Sequence, residues 1–119
     1  MTDHEFREVL SEYLDTVNRY QIAADRHAKL KQQLDQAKLP SDIHSLDELK
    51  PIQAARDSIS YEMRSLNSHM MQLATRKVDL ERKIKEALPR GVRYHYAGRE
   101  IYVKDHELHV IYEVKELAA

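Results

Sequence analysis

Residues 49–88 read LKPIQAARDSISYEMRSLNSHMMQLATRKVDLERKIKEAL, and steps of three and four residues draw one narrow line through them. The line is Leu49, Ile52, Arg56, Ile59, Met63, Leu66, Met70, Leu73, Lys77, Leu80, Ile84 and Ala87. All but Arg56 and Lys77 are apolar, and charge flanks the line on both sides. This is the seam of a long helix laid against a helical partner, with a period of 3.5 residues. The rest of the fold follows from what that seam needs.

Composition agrees with it. The chain has 119 residues, 33% of them charged, with 7% aromatic, no Trp, two Gly and three Pro, the balance expected of long helices rather than of an ordinary globular core. With no cysteine there are no disulfides, thiolate metal sites or cysteine nucleophiles, which fits a reducing compartment. MTDHEFREV at the start is acidic and helical in pattern, unlike a secretory signal, and no stretch approaches the roughly 18 apolar residues of a membrane span. These features predict no membrane association and a cytoplasmic location. The net charge of −1 argues against strong attraction to nucleic acid.

The partner helix lies upstream. Thr2-Asp3-His4-Glu5 has the form of a capping box and opens a helix over about 3–38, which meets no Gly or Pro before Pro40. Its seam is expected at Phe6, Leu10, Tyr13, Val17, Tyr20, Ala24, His27, Lys31 and Leu34. Ser45-Leu46-Asp47-Glu48 is a second capping box opening a helix over about 46–88. Pro51 is misplaced for its interior, so either the helix kinks there or 45–50 is a separate short turn. After Gly91 the period becomes two: Val92, Tyr94 and Tyr96, then Ile101 and Val103, then Leu108, Val110, Tyr112 and Val114, with turns at Ala97-Gly98 and Asp105-His106. The predicted fold is mainly α: a long antiparallel coiled-coil helical hairpin over 1–88, followed by a three-stranded antiparallel β-meander over 89–119.

Folding the hairpin with Leu34 beside Ile52 sets Tyr20 by Leu66, Tyr13 by Leu73 and Phe6 by Leu80. It also brings the acidic start (Asp3, Glu5, Glu8, Glu12, Asp15) to the basic run Arg76, Lys77, Arg82, Lys83 and Lys85, so these bases have partners in their own chain. Arg56 falls near Lys31, and Lys77 near Leu10. Opposed cations cannot stay buried unpaired, so Arg56 is expected to borrow an acid such as Asp35, Glu48 or Asp57, or to stay wet. Lys31, Arg56 and Lys77 are read as seam residues that fix register or oligomer state.

The first helix carries a second stripe at seven-residue spacing, Val9, Thr16, Ala23, Leu30 and Ala37, which a two-helix hairpin is expected to leave bare. Tyr102 and Ile111 lie on the face of the meander opposite Ile101, Val103, Leu108 and Val110. Together these seven residues predict a homo-oligomer interface, since three short strands with open edges are marginal alone.

Motifs of chemistry are lacking. The only glycines, Gly91 and Gly98, make no phosphate loop, and no serine sits in a nucleophile elbow, so no enzyme and no cofactor is expected. His106-Glu107-Leu108-His109 differs from the zinc-protease helix motif in spacing and lies on a turn and strand. His95, His106 and His109 with Asp105 or Glu107 are read as exposed strand residues rather than metal ligands. Arg90, Arg93, Arg99 and Lys104 with Tyr94, Tyr96 and Tyr102 form the alternative, a basic aromatic sheet for nucleic acid. IYVKDHELHV followed by IYEV, residues 101–114, resembles the small β-hairpin trimerisation caps of phage fibre proteins. That resemblance implies a phage or virion accessory component and a location in the virion. The expected function is a non-catalytic, self-associating structural or assembly protein; an adaptor docking a larger protein partner is the other reading.

Overall fold

Local capping chemistry sets the helix boundaries. The Thr2 hydroxyl accepts the Glu5 N–H at 3.2 Å and opens α1, Asp3–Gln36. After the Pro40 loop, a 3-10 turn spans Leu46–Glu48. Ser45 caps it, accepting the Asp47 N–H at 3.2 Å, while the Glu48 carboxylate accepts the His44 N–H at 3.1 Å. Helix α2 then runs Lys50–Ala87. Pro51 therefore stands in a first turn, where its missing N–H costs no hydrogen bond, and 45–50 is the separate short turn. Three strands follow: β1 Tyr94–Tyr96, β2 Arg99–Lys104 and β3 Glu107–Tyr112. The structure, a computed structural model, describes residues 1–112; Val114 and the rest of 113–119 lie outside the described residues. The fold is mainly α, a helical hairpin followed by a three-stranded antiparallel sheet, as expected.

The chain divides into two compact units, Met1–Asp15 with Arg76–Ala119 and Thr16–Thr75. The meander is not set apart at residue 89 but shares a unit with the first turns of α1 and the last turns of α2. The core of this unit is Phe6, Leu10, Tyr13, Leu80, Ile84, Leu88 and Ile101, all buried. The Phe6 ring meets Tyr94 edge-on at 4.7 Å. The Tyr94 hydroxyl donates to Asp3 at 2.6 Å and accepts from Arg7 Nε at 3.1 Å, fastening β1 to α1. Arg76 pairs with Glu12, and the buried Tyr13 hydroxyl donates to Glu81 at 3.2 Å. Burial and the neighbouring Glu81 carboxylate push the Tyr13 phenol well above its ordinary range. The Arg82 hydrogen bond, helped by Lys83, holds the Asp79 carboxyl below its usual value.

In the unit Thr16–Thr75, the buried residues are Thr16, Ala23 and Leu30, all on α1. The α2 seam from Ile52 through Leu73 is half-buried throughout. Arg26 donates to Glu62 through Nε at 3.1 Å and Nη2 at 2.8 Å.

Cross-helix partners lie further along the opposite helix than the walk from Leu34–Ile52 places them: Tyr13 reaches Glu81 rather than Leu73, and Arg26 reaches Glu62. Helical side chains lean toward their own N-terminus, which in an antiparallel pair is toward the partner's C-terminus. Long side chains therefore bridge ahead of their Cα level.

The sheet has the order β1-β2-β3, antiparallel throughout. Tyr94 pairs with Ile101 and Tyr96 with Arg99; Ile101 pairs with Val110 and Val103 with Leu108. Both hairpins close through two residues with positive φ, Ala97 (50°) with Gly98 (72°) and Asp105 (52°) with His106 (64°). This left-handed pair is the type I′ turn that matches strand twist, and only one of its four positions is a glycine.

Candidate interaction surface

The stripe expected to join copies is mostly not on the surface. Thr16, Ala23 and Leu30 are buried within the single chain, Leu30 to 1% exposure, and Val9 and Ala37 are half-buried. The expectation of a bare stripe is corrected: in the second unit it is the seam itself. Buried and half-buried positions run Phe6, Leu10, Tyr13, then Thr16, Tyr20, Ala23, His27, Leu30, Leu34 and Ala37. Steps of three and four alternate except at Leu10–Tyr13–Thr16, where two threes follow each other. This is the stammer that moves a seam sideways by one position, and it falls where the two units divide. Val17 and Ala24 therefore flank the seam, and Lys31 is exposed, outside it.

Among the described residues Arg56 makes no ion pair, and Lys31 is exposed. The Arg56 Nη1 donates to the carbonyls of Leu34 at 3.2 Å and Ala37 at 2.5 Å, at the C-terminus of α1. That terminus has no basic residue in its last turn, and its final carbonyls have no intrahelical donors. Arg56 thus caps one helix from the other, meeting both the orphan acceptors and the negative end of the dipole. Lys77 is half-buried and reaches Glu81 of its own helix at 3.9 Å.

The meander separates the residues of the basic aromatic surface. Tyr94, Tyr96 and Arg99 share the face of Ile101. Tyr94 is committed to Asp3, Arg7 and Phe6, and the Arg99 guanidinium lies 5.1 Å from the Tyr112 ring and donates to the Ala97 carbonyl at 3.2 Å. On the opposite face Arg93 pairs with Glu100 and sits 5.0 Å from the Tyr102 ring, on which His109 stacks at 5.0 Å. Tyr102 is thus already engaged by two side chains and is a poor stacking platform. Arg90 joins a different group. It lines a recess of about 320 Å³ with Lys85, Leu88, Val103, Asp105 and His106, and a neighbouring one of about 300 Å³ with Arg93, Tyr102 and Lys104. Lys85, Arg90 and Lys104 make no ion pair among the described residues. Sequence reasoning did not assemble this group, because it is built from a helix end, a loop and a turn with no common period.

Ile111 is 47% exposed and Tyr112 70%, at the end of the edge strand β3. Tyr102 is half-buried beneath His109 on the Ile111 face, so the two expected sheet-interface residues share a face as the alternation required. Among the described residues no three His, Asp or Glu are grouped to hold a metal ion, and no helix is long and apolar enough to cross a membrane. No protein-family model, curated protein or solved structure matches the chain.

Proposed function

We propose that the protein is a non-catalytic structural or assembly component that works by associating with itself. The observation that carries this reading is the sheet edge. Strand β3 has β2 on one side only among the described residues, and it ends in two exposed large apolar residues, Ile111 and Tyr112. An unpaired edge with apolar side chains is a template for another strand, and a three-stranded sheet gains most from extending. Within this reading, the resemblance of residues 101–114 to phage fibre caps favours a virion accessory role. Light scattering of the purified chain tests the proposal: a mass of two or more chains is expected, and a strict monomer at every concentration contradicts it.

A second reading has its own support. Lys85, Arg90 and Lys104, without ion pairs among the described residues, line two recesses that share Arg90 and form a cationic rim suited to a polyanion, with Asp105 as the opposing charge. Affinity for single-stranded nucleic acid that falls steeply with salt, and is lost in a Lys85→Glu/Arg90→Glu variant, would establish it. Absence of measurable binding at low salt would remove it.

A further inference from the structure

We propose that the paired recesses beside Arg90 bind a phosphate ester that carries neighbouring hydroxyl groups. The proposal rests on the cationic rim of the second reading and names the ligand chemistry that rim takes. The first observation is where β1 ends. Its pairing with β2 runs from Tyr96–Arg99 to Tyr94–Ile101 and stops there among the described residues. The two-residue turn makes Tyr96–Arg99 a hydrogen-bonded closing pair, so Arg99, Ile101 and Val103 direct their N–H and C=O groups to the β1 side. Val92 would be next to meet Val103, but its N–H donates to the Pro89 carbonyl at 3.2 Å, in a turn where Gly91 takes a φ of 84°. The Val103 N–H and C=O therefore have no strand opposite them among the described residues.

The second observation is what surrounds that gap. Val103 and Arg90 line both recesses, of about 320 and 300 Å³. Lys85 and His106 stand in the first and Lys104 in the second, while Arg93, the other base of the second, is paired with Glu100. A phosphate suits these donors, since its oxygens take charge-assisted hydrogen bonds from guanidinium and ammonium groups and a further one from a backbone N–H. A bare anion answers only half of the site. The Asp105 carboxylate in the first recess repels it, and the Val103 carbonyl gains no donor from it. Hydroxyls beside the phosphate meet both acceptors, and Leu88 with the Val103 side chain gives their carbon skeleton an apolar wall. The mixture of donors and acceptors thus selects a sugar or polyol phosphate over an inorganic anion. RNA carries the same combination through its 2′-OH.

Titration of the ¹⁵N-labelled full chain at low salt tests this through the amide signals of Gly91 and Val103. The probes are ribose 5-phosphate, methyl phosphate, and single-stranded RNA and DNA of one sequence. Ribose 5-phosphate is expected to shift both signals saturably and to bind about tenfold more tightly than methyl phosphate, which has no hydroxyl. Arg90→Gln should weaken its binding by about tenfold. Asp105→Asn keeps a residue at home in the left-handed turn position; it should tighten methyl phosphate and shrink the preference for the sugar. If only RNA binds, weaker binding of the DNA assigns the phosphate–hydroxyl chemistry to the polymer, and equal binding of the two overturns the hydroxyl requirement. Equal affinity for the two small esters likewise overturns it, while the cationic rim stands. Signals unmoved by every probe overturn both the ligand and the second reading.

Discussion

The two compact units use the same helices and bury very different amounts of them. In the unit with the helix ends and the meander, Leu10, Leu80, Ile84 and Ile101 are fully enclosed; in the unit from Thr16 to Thr75, no α2 seam residue is buried. Two helices alone can shield only a line between them, and the shoulders of each seam residue stay wet. A third layer closes the line, and here the layer is the sheet face of Tyr94, Ile101, Val103 and Val110. The meander is therefore the element that turns a helix pair into a core.

The widest contrast comes from truncating the two seams. Leu10→Ala or Ile84→Ala should cost about 2–5 kcal/mol in chemical denaturation, against less than about 2 kcal/mol for Leu66→Ala, whose site is already half open. Equal losses would mean that the units are equally packed. Next is the helix cap: Arg56→Leu strips the donor from the Leu34 and Ala37 carbonyls and should destabilise by about 1–3 kcal/mol, with amide exchange accelerating in the last turns of α1. A stabilised Arg56→Leu protein would show that burying the cation costs more than the capped carbonyls return. On the sheet side, Ala97→Asn replaces a strained left-handed alanine with the Asn-Gly pair that type I′ turns favour. A gain of roughly 0.5–1 kcal/mol is expected.

The smallest effect is a slope. The folded-state pKa of Tyr13 is raised, so its contribution is complete below the phenol's ordinary value near pH 10 and is lost as pH rises from there. Tyr13→Phe should flatten that alkaline decline relative to the natural chain. Parallel curves for the two proteins would show that Tyr13 ionises alike when folded and unfolded.

What the sequence disclosed follows the same division. The α2 seam was legible because its three-four steps never break, and the meander faces were legible because Ile101, Val103, Leu108 and Val110 alternate cleanly. The α1 seam was misplaced by one position beyond Tyr13, since Tyr13, Tyr20, His27 and Leu34 have apolar neighbours on both flanks. Val17 and Ala24 look as suitable there as Thr16 and Ala23, and the stammer that decides between them becomes visible only against a partner helix. The acceptors of Arg56 were hidden for a different reason: backbone carbonyls have no residue signature. The Arg90 group stayed hidden because three unrelated segments build it.

Native-state hydrogen exchange puts the difference between the units to the most direct test, because it reads opening free energies residue by residue in one molecule. The amides of Leu10, Tyr13, Leu80, Ile84 and Ile101 should exchange only through global unfolding. Those of Ala23, Leu30, Met63 and Leu66 should exchange through smaller, earlier openings. Protection at Met63 and Leu66 equal to or greater than that at Ile84 and Ile101 would contradict the claim that the meander completes the core.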